Sequence, residues 1–280
     1  MGRDAAVNVG SRVFDMPHAV SLAAAKERCL RKLLLELKRA AGLKTALDVG
    51  CGLGHFSGLL REMGFSVRAI DVRPGNVAGA SARYPEIRFE VNDIESPTVE
   101  SLGQFDAVLC LGLLYHLENP FLAIRNLAAL TRQVCIIETM IAPFASPMTA
   151  LIEEREGEDQ GRDYVAQVPS EAWLLKVLRR GGFPFVYRVS EMPDHPDFRS
   201  SFLHKKRRTV LVAAKAQLKD AGFTVAIEPE MTGRFMWYSL GLGRLLEHQG
   251  VRRAVKTAAR GFRHMVSSRL APRTNEDRPR

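Results

Sequence analysis

The chain has 280 residues, of which 46% are hydrophobic and 25% charged, enough to bury one large core and too balanced for a disordered or fibrous protein. It starts without the apolar core of a secretory signal and has no run of about 18 apolar residues, so we expect neither secretion nor membrane insertion. The formal net charge of +9 favours acidic partners. Much of the excess lies in a basic segment after Gly243 that contains Arg252, Arg253, Lys256, Arg260, Arg263 and Arg269.

The cysteines and histidines are scattered along the chain. Cys29, Cys51, Cys110 and Cys135 stand far apart, and the last three lie in apolar runs or beside glycines. We therefore expect buried, reduced thiols and a cytoplasmic protein. No histidine lies at ligand spacing from another His or Cys, so the sequence predicts no metal site.

Helix-like and strand-like segments alternate from the first helix onward. Residues 22–40 have leucines at helical spacing before Gly42. The apolar runs TALDVG, SVRAIDV, IRFEVND, FDAVLCLG and QVCIIET then alternate with the helical patterns HFSGLLREMG and NPFLAIRNLAALT. This order predicts an α/β fold with a mostly parallel sheet covered on both faces by helices.

The second half of the chain departs from this alternation. An acidic, Pro-containing segment at about 142–168 is interpreted as an insertion or lid, and Ser170 caps a helix that ends at Gly181. Two late runs, FPFVYRVSE and RRTVLVAAKA, should pair antiparallel at a sheet edge. We divide the chain into an N-terminal helical segment at 1–44, a main domain at 45–216 and a basic extension at 217–280.

A glycine-rich turn follows the first predicted strand in LDVGCGLG. Gly50, Gly52 and Gly54 let the backbone approach a ligand at the carboxyl end of a parallel strand. A dinucleotide fingerprint needs Gly or Ala where this chain has His55, so a pyrophosphate would fit poorly. Asp48 could face a cationic or ammonium-bearing ligand, or it could bond the amides of the turn.

Two further carboxylates follow the next strands. Asp71 stands where an acidic side chain can accept hydrogen bonds from both ribose hydroxyls. Asp93 could accept from an adenine amino group while Ile94 contacts the ring. The alternative is that both aspartates cap neighbouring helices. Together the three aspartates describe a site for a sulfonium nucleoside with an amino-acid end and no phosphate.

The ordered set LDVGCGLG, Asp71, NDI and FDAVLCLGLLYHL resembles the motifs of class I S-adenosylmethionine-dependent methyltransferases. The resemblance covers residues 45–139 and, with the late strands, extends to about residue 216. It implies a Rossmann-like, doubly wound sheet of seven strands with the last antiparallel, and S-adenosyl-L-methionine as cofactor. The candidate cofactor-binding residues are Asp48, Gly50, Cys51, Gly52, Gly54, His55, Asp71, Val72, Asp93, Ile94 and Leu111.

The candidate catalytic residues lie after the fourth strand. Methyl transfer is an in-line displacement that depends mainly on positioning, although a hydroxyl acceptor would need a base. His116 is a candidate base or a residue that packs on the cofactor, and Tyr115 is expected to order the substrate or cofactor edge. Glu138 ends the fifth strand and could face the cleft or make a structural hydrogen bond.

A closer resemblance, carried by LLYHLENPFLAIRNLAALT, CIIET and VPSEAWLLKVLRRGGF, is to the tRNA wobble-uridine carboxymethyl- and methoxy-forming enzymes and their relatives. Those tRNA enzymes have arginines after Tyr-His, where this chain has Leu117 and Glu118. The acidic segment at 153–163 would also repel nucleic acid if it overhangs the cleft. We therefore expect a small-molecule acceptor methylated on oxygen, nitrogen or carbon, with a tRNA-modifying enzyme and a non-catalytic cofactor-binding regulator as alternatives. The sequence does not indicate an oligomeric state.

Overall fold

The computed structural model describes residues 16–153, 165–200, 206–218 and 223–226, which all belong to one compact unit at 1–230. Within these residues the chain forms five α-helices and ten β-strands. The helices are α1 (Pro17–Ala41), α2 (His55–Glu62), α3 (Pro74–Arg83), α4 (Pro120–Leu130) and α5 (Glu171–Arg180). The strands are β1 (Thr45–Val49), β2 (Ser66–Asp71), β3 (Arg88–Val91), β4 (Phe105–Leu111), β5 (Thr131–Met140), β6 (Thr149–Glu153), β7 (Val165–Pro169), β8 (Phe185–Val189), β9 (Arg208–Ala214) and β10 (Phe223–Val225).

The helix boundaries follow the predicted start and stop signals. α1 ends at Gly42, whose φ of 64° is left-handed and whose N–H bonds the carbonyl of Lys38. α5 begins after Ser170, whose side chain accepts from the N–H of Trp173. α4 is capped in the same way by Asn119. The predicted helices over these segments are confirmed.

The main sheet has the order β10-β8-β9-β5-β4-β1-β2-β3. The five strands β3, β2, β1, β4 and β5 are parallel neighbours, and β9 lies between β5 and β8 and is antiparallel to both. The predicted Rossmann-like α/β class is confirmed, with β9 as the antiparallel seventh strand of the main sheet. The short β10 is an eighth strand, one more than expected, and it pairs antiparallel with β8. It lies beyond residue 216, in the extension for which no elements were predicted.

The core has one layer on each face of this sheet, because side chains alternate along each strand. In β4, Val108 and Cys110 pack with α4 and α5, whereas Ala107, Leu109 and Leu111 pack with α1 and α2. All seven residues of β4 are buried, as expected for a central strand covered on both faces. The helices therefore hold the carboxyl ends of β1, β2, β4 and β5 at one edge of the sheet.

β6 and β7 form a separate antiparallel hairpin within the predicted insertion. Its Ala166 and Val168 pack with Tyr115 and Ala142, whereas Leu151 is 71% exposed. The acidic residues 154–163, the N-terminal residues 1–15 and the basic segment after Gly243 lie outside the described residues. None of the helices in the described part of the chain combines the length and hydropathy needed to span a bilayer.

Candidate active site

The glycine turn between β1 and α2 is closed onto β2 by backbone hydrogen bonds. The N–H groups of Gly50 and Cys51 both donate to the carbonyl of Ile70, at 2.8 and 3.1 Å. Gly50 and Gly54 have φ of 70° and 80°, which side-chain-bearing residues rarely adopt. A Cβ at Gly50 would lie 2.8 Å from Leu113, so the backbone here approaches the loop after β4 closely.

Asp71 joins the end of β2 to this turn. Its Oδ2 accepts from the N–H of Gly52 at 2.9 Å, and its Oδ1 accepts from the N–H of Arg73 at 2.9 Å and from Nδ2 of Asn76 at 3.1 Å. A carboxylate has about four acceptor positions, so three protein donors leave room for a ligand hydroxyl. The structure places the carboxylate beside the glycine turn, as predicted, and also shows that it braces the turn.

Asp48 is buried between the turn and α2. Its Oδ2 accepts from the hydroxyl of Ser57 at 2.7 Å, and only 2% of the residue is exposed. Burial raises the pKa of the Asp48 carboxyl to about 6, the bond from Ser57 opposes this rise, and the charge of Asp71 adds to it. Asp48 is thus bonded by the side chain of Ser57 on α2, and the backbone N–H of Ser57 and the charge of Lys26 also lower its pKa.

The remaining predicted cofactor residues lie along the same sheet edge. Asp93 accepts from the N–H of Glu95 at 2.8 Å, and Ile94 is buried in the core. Val72, directly after Asp71, is 37% exposed. Leu111 is buried at the end of β4. Cys51 is buried, which raises the pKa of its thiol and leaves it unreactive.

His55 is the first residue of α2, as expected. Its Nε2 lies 3.2 Å from a carboxylate oxygen of Glu27 on α1. Glu27 also accepts from Arg31 at 3.0 Å. The contact between His55 and Glu27 ties the helix after the glycine turn to α1.

Tyr115 and His116 form a 3₁₀ turn after β4, at Leu114–His116. Their rings lie 4.0 Å apart between centroids, with Tyr115 buried and His116 half-buried. The Tyr115 hydroxyl accepts from Nη2 of Arg208 at 3.2 Å. The structure therefore brings the two predicted catalytic residues to the sheet edge that carries the glycine turn.

Arg208 also connects Tyr115 to a buried ion network formed by Lys26, Glu138 and Arg208. Glu138 is 1% exposed and accepts from Nζ of Lys26 at 3.0 Å and from Nη1 of Arg208 at 2.8 Å. Although burial opposes it, the two cations lower the pKa of Glu138. Glu138 stands beside Leu111 in the β4–β5 pairing, and Lys26 approaches Gly112, so the network is next to the end of β4.

Lys26 and Arg208 are site residues that the sequence reasoning missed. Lys26 lies on the buried stripe of α1 formed by Leu22, Leu30 and Leu33, and a lysine within an apolar stripe was a usable signal. Arg208 opens the buried strand β9, where register opposite Met140 brings it to the carboxyl end of β5. Only the antiparallel insertion of β9 reveals that proximity.

Residues 47–136 match the family described as "Methyltransferase domain". A ubiquinone biosynthesis O-methyltransferase from Xanthomonas campestris pv. campestris (strain B100) is 37% identical over 90 residues, which are 31% of this chain and 38% of the relative. A relative of the same name from Azotobacter vinelandii (strain DJ / ATCC BAA-1303) is 32% identical over 152 residues, 52% of this chain and 58% of its own. The chain thus spans 38% to 58% of the length of these relatives.

Solved structures resemble the chain over more of its length. The N-terminal domain of EvdMO1 with SAH bound has a TM-score of 0.56 at 21% identity and covers 71% of this chain and 84% of its own. Magnesium protoporphyrin IX methyltransferase from Synechocystis PCC 6803 with bound SAM has a TM-score of 0.52 at 18% identity, covering 76% and 92%. The chain has the class I methyltransferase fold.

The methyltransferase match and the ion network occupy different parts of this fold. The matched segment contains the glycine turn, Asp71, Asp93 and the Tyr115–His116 turn. Lys26, Glu138 and Arg208 all lie outside residues 47–136. The network is therefore a feature of this chain that the family match does not describe.

Proposed function

We propose that the chain is an S-adenosylmethionine-dependent methyltransferase that acts on a small-molecule acceptor. The observation that carries this proposal is the closure of the glycine turn onto Asp71, because a bare backbone beside a strand-end carboxylate suits a nucleoside, while His55 stands where a pyrophosphate-binding turn needs Gly or Ala. Support comes from the methyltransferase domain match and from the fold shared with structures that hold SAM or SAH.

The donor-binding residues would be those of the sheet edge. Gly50 and Gly54 would keep the turn in its left-handed backbone conformation beside the donor, Asp71 would accept from ribose hydroxyls, and Asp93 with Ile94 would contact the adenine. Exposed Val72 would cover the other side of the ring. When bound, S-adenosylmethionine supplies a methyl group on a positively charged sulfur.

The chain's own residues would position the acceptor and take its proton. Arg208 fixes the Tyr115 hydroxyl at 3.2 Å, so Tyr115 is proposed to orient the acceptor. His116, half-buried beside Tyr115, is proposed as the base that receives the proton of a hydroxyl acceptor. The hairpin β6–β7 packs on Tyr115 and would exclude water from this side.

A small acceptor methylated on oxygen is favoured by the relatives, both of which are named ubiquinone biosynthesis O-methyltransferase. Purified protein incubated with methyl-labelled S-adenosylmethionine and fractionated cell extract would show which fraction takes the label. Label in small metabolites supports the proposal, label in RNA would redirect it to a tRNA-type acceptor, and binding without any transfer would favour a regulator.

The donor assignment is tested by Asp71→Asn. In either orientation of the asparagine amide, its NH₂ group would face a backbone N–H, that of Gly52 or that of Arg73. The amide would also have fewer oxygen lone pairs to accept from the ribose hydroxyls. We expect S-adenosylhomocysteine affinity, measured by calorimetry, to fall by about 10- to 100-fold, equivalent to one unsatisfied buried group. Glu86→Gln, an exposed substitution between α3 and β3, is the control. Equal affinity of Asp71→Asn and wild type would refute the assignment.

A further inference from the structure

A cluster of metal-ligand side chains lies outside the site described above. His18 is in the first turn of α1, while His195 and Asp197 lie at the 3₁₀ turn Pro196–Phe198 between β8 and β9. One potential ligand atom from each residue lies within 4.8 Å of the others. Within the part of the chain that the structure describes, no other group of three His, Cys, Asp or Glu residues meets this condition.

Two of the three distances between ligand atoms are close to those of a metal centre, and the third, between the two imidazoles, is within 4.8 Å. Nε2 of His18 lies 3.2 Å from Oδ2 of Asp197, and Nδ1 of His195 lies 3.8 Å from the same oxygen. Ligand atoms of a tetrahedral zinc ion, bonded at about 2.0 to 2.2 Å, lie roughly 3.3 Å apart. Small side-chain rotations would therefore bring all three atoms onto one ion.

The surroundings of the cluster permit an ion to enter. The His18 side chain is 64% exposed, whereas those of His195 and Asp197 are 9% and 13% exposed, so the site is open on one side and fixed on the other. Nδ1 of His195 accepts from the N–H of Asp197 at 3.3 Å, a long and weak bond that the ion would replace. Nε2 of His195 lies 3.5 Å from the Ser21 hydroxyl, which can hold the ring in place.

We propose that His18, His195 and Asp197 form a binding site for a divalent transition-metal ion of the zinc type. Two imidazoles and one carboxylate suit such an ion and leave a coordination position for water. Nε of Arg208 lies 3.8 Å from Oδ2 of Asp197, so the ion would share this carboxylate with the guanidinium, whose nearer partner is Glu138 at 2.8 Å. The ion would join the start of α1 to the β8–β9 connection and so hold in place the helix that carries Lys26.

The fold explains why spacing along the chain did not reveal this site. His195 and Asp197 follow His18 by 177 and 179 positions in the chain. The sequence-based expectation of no metal site considered only neighbouring ligands. The docking of α1 beside the β8–β9 connection brings them together.

Titration of the metal-free full chain with Co²⁺, a spectroscopic substitute for Zn²⁺, tests the proposal. We expect one equivalent to bind with visible absorption that Zn²⁺ abolishes. His18→Ala and Asp197→Asn should weaken binding by about 100-fold. The controls are Asp194→Asn, a neighbouring acidic residue paired with Arg199, and His55→Gln, a histidine paired with Glu27, and both should bind as wild type does.

Two results would overturn the proposal: no stoichiometric Co²⁺ binding by the wild type, or unchanged binding by His18→Ala. Because the His18 side chain is largely exposed, this variant should fold, which circular dichroism of the metal-free protein verifies. A second measurement is amide hydrogen exchange in the first turns of α1. Zn²⁺ should slow that exchange in the wild type and leave it unchanged in His18→Ala.

Discussion

Asp48 and Asp106 show how residue environment sets the pH dependence of stability. Burial raises the pKa of Asp48 to about 6, above the ordinary value of 3.8. Asp106 is also buried, but backbone N–H groups of Thr45 and Lys44 and the Arg132 guanidinium outweigh that burial and hold its pKa low. The two aspartates therefore affect stability in different pH ranges.

Asp48→Asn should reveal this difference. As pH rises from 4 to 7, Asp48 loses its proton at lower pH in the unfolded chain than in the folded chain. The contribution of Asp48 to the free energy of unfolding therefore falls by about 2 kcal/mol. Asparagine has no such titration and can still accept from Ser57. We expect the stability of the variant relative to wild type, measured by urea unfolding, to increase by about that amount over this range. Asp106→Asn should show an almost constant difference, and the same flat result for Asp48→Asn would contradict the raised pKa.

Glu138 offers a second test at the residue scale. Glu138→Gln would leave the buried Lys26 and Arg208 cations without their shared counter-charge. We expect a loss of about 3 to 5 kcal/mol in the free energy of unfolding at pH 7, as for other broken buried ion pairs. Glu191→Gln breaks the exposed pair with Lys32 and should have no measurable effect in urea unfolding. Equal stability of Glu138→Gln and wild type would show that Lys26 and Arg208 do not depend on Glu138 as their counter-charge.

At the scale of elements, Ser170 links α5 to the chain that leads into the hairpin β6–β7. Its hydroxyl accepts from the N–H of Trp173 at 3.1 Å and of Met148 at 3.2 Å, and donates to the carbonyl of Ser146 at 2.7 Å. Asn119 caps α4 with one bond, at 3.1 Å from the N–H of Leu122. The Ser170 side chain thus joins its helix to residues 146 and 148, whereas the Asn119 side chain bonds its own helix alone.

Ser170→Ala should therefore cost more than Asn119→Ala. We expect a loss of about 1 kcal/mol for Asn119→Ala, as for a simple N-cap, and about 2 to 3 kcal/mol for Ser170→Ala, because it also leaves buried polar groups unpaired. Thermal or urea unfolding measures both. Limited proteolysis should also cut Ser170→Ala faster near the hairpin. Similar costs for the two variants would mean that the bonds to residues 146 and 148 contribute nothing.

At the scale of the whole molecule, the basic segment after Gly243 separates the small-molecule and tRNA hypotheses. If the segment binds RNA, the full chain should bind tRNA with an affinity that falls steeply with salt, and a chain ending at residue 242 should lose that dependence. For the proposed small-molecule enzyme we expect weak tRNA binding in both forms at physiological salt. Gel-shift titration at several salt concentrations measures this. Tight, salt-dependent and tail-dependent binding would favour tRNA as the acceptor.

The sequence by itself determined the α/β class, the five successive strands of the first half of the chain, and the positions of the glycine turn and of Asp71. These features depend on local periodicity, helix caps and residues next to one another in the chain, which side-chain patterns express directly. The roles predicted for Tyr115, His116 and the cofactor residues stay predictions, now placed at one edge of the sheet.

Only the tertiary structure decided which distant residues meet. β9 inserts between β5 and β8 and carries Arg208 to Glu138, and α1 packs on one face of the sheet with Lys26 on its buried side. The same packing gathers His18, His195 and Asp197. Contacts of this kind depend on how whole elements pack, a long-range outcome that no pattern of neighbouring residues encodes.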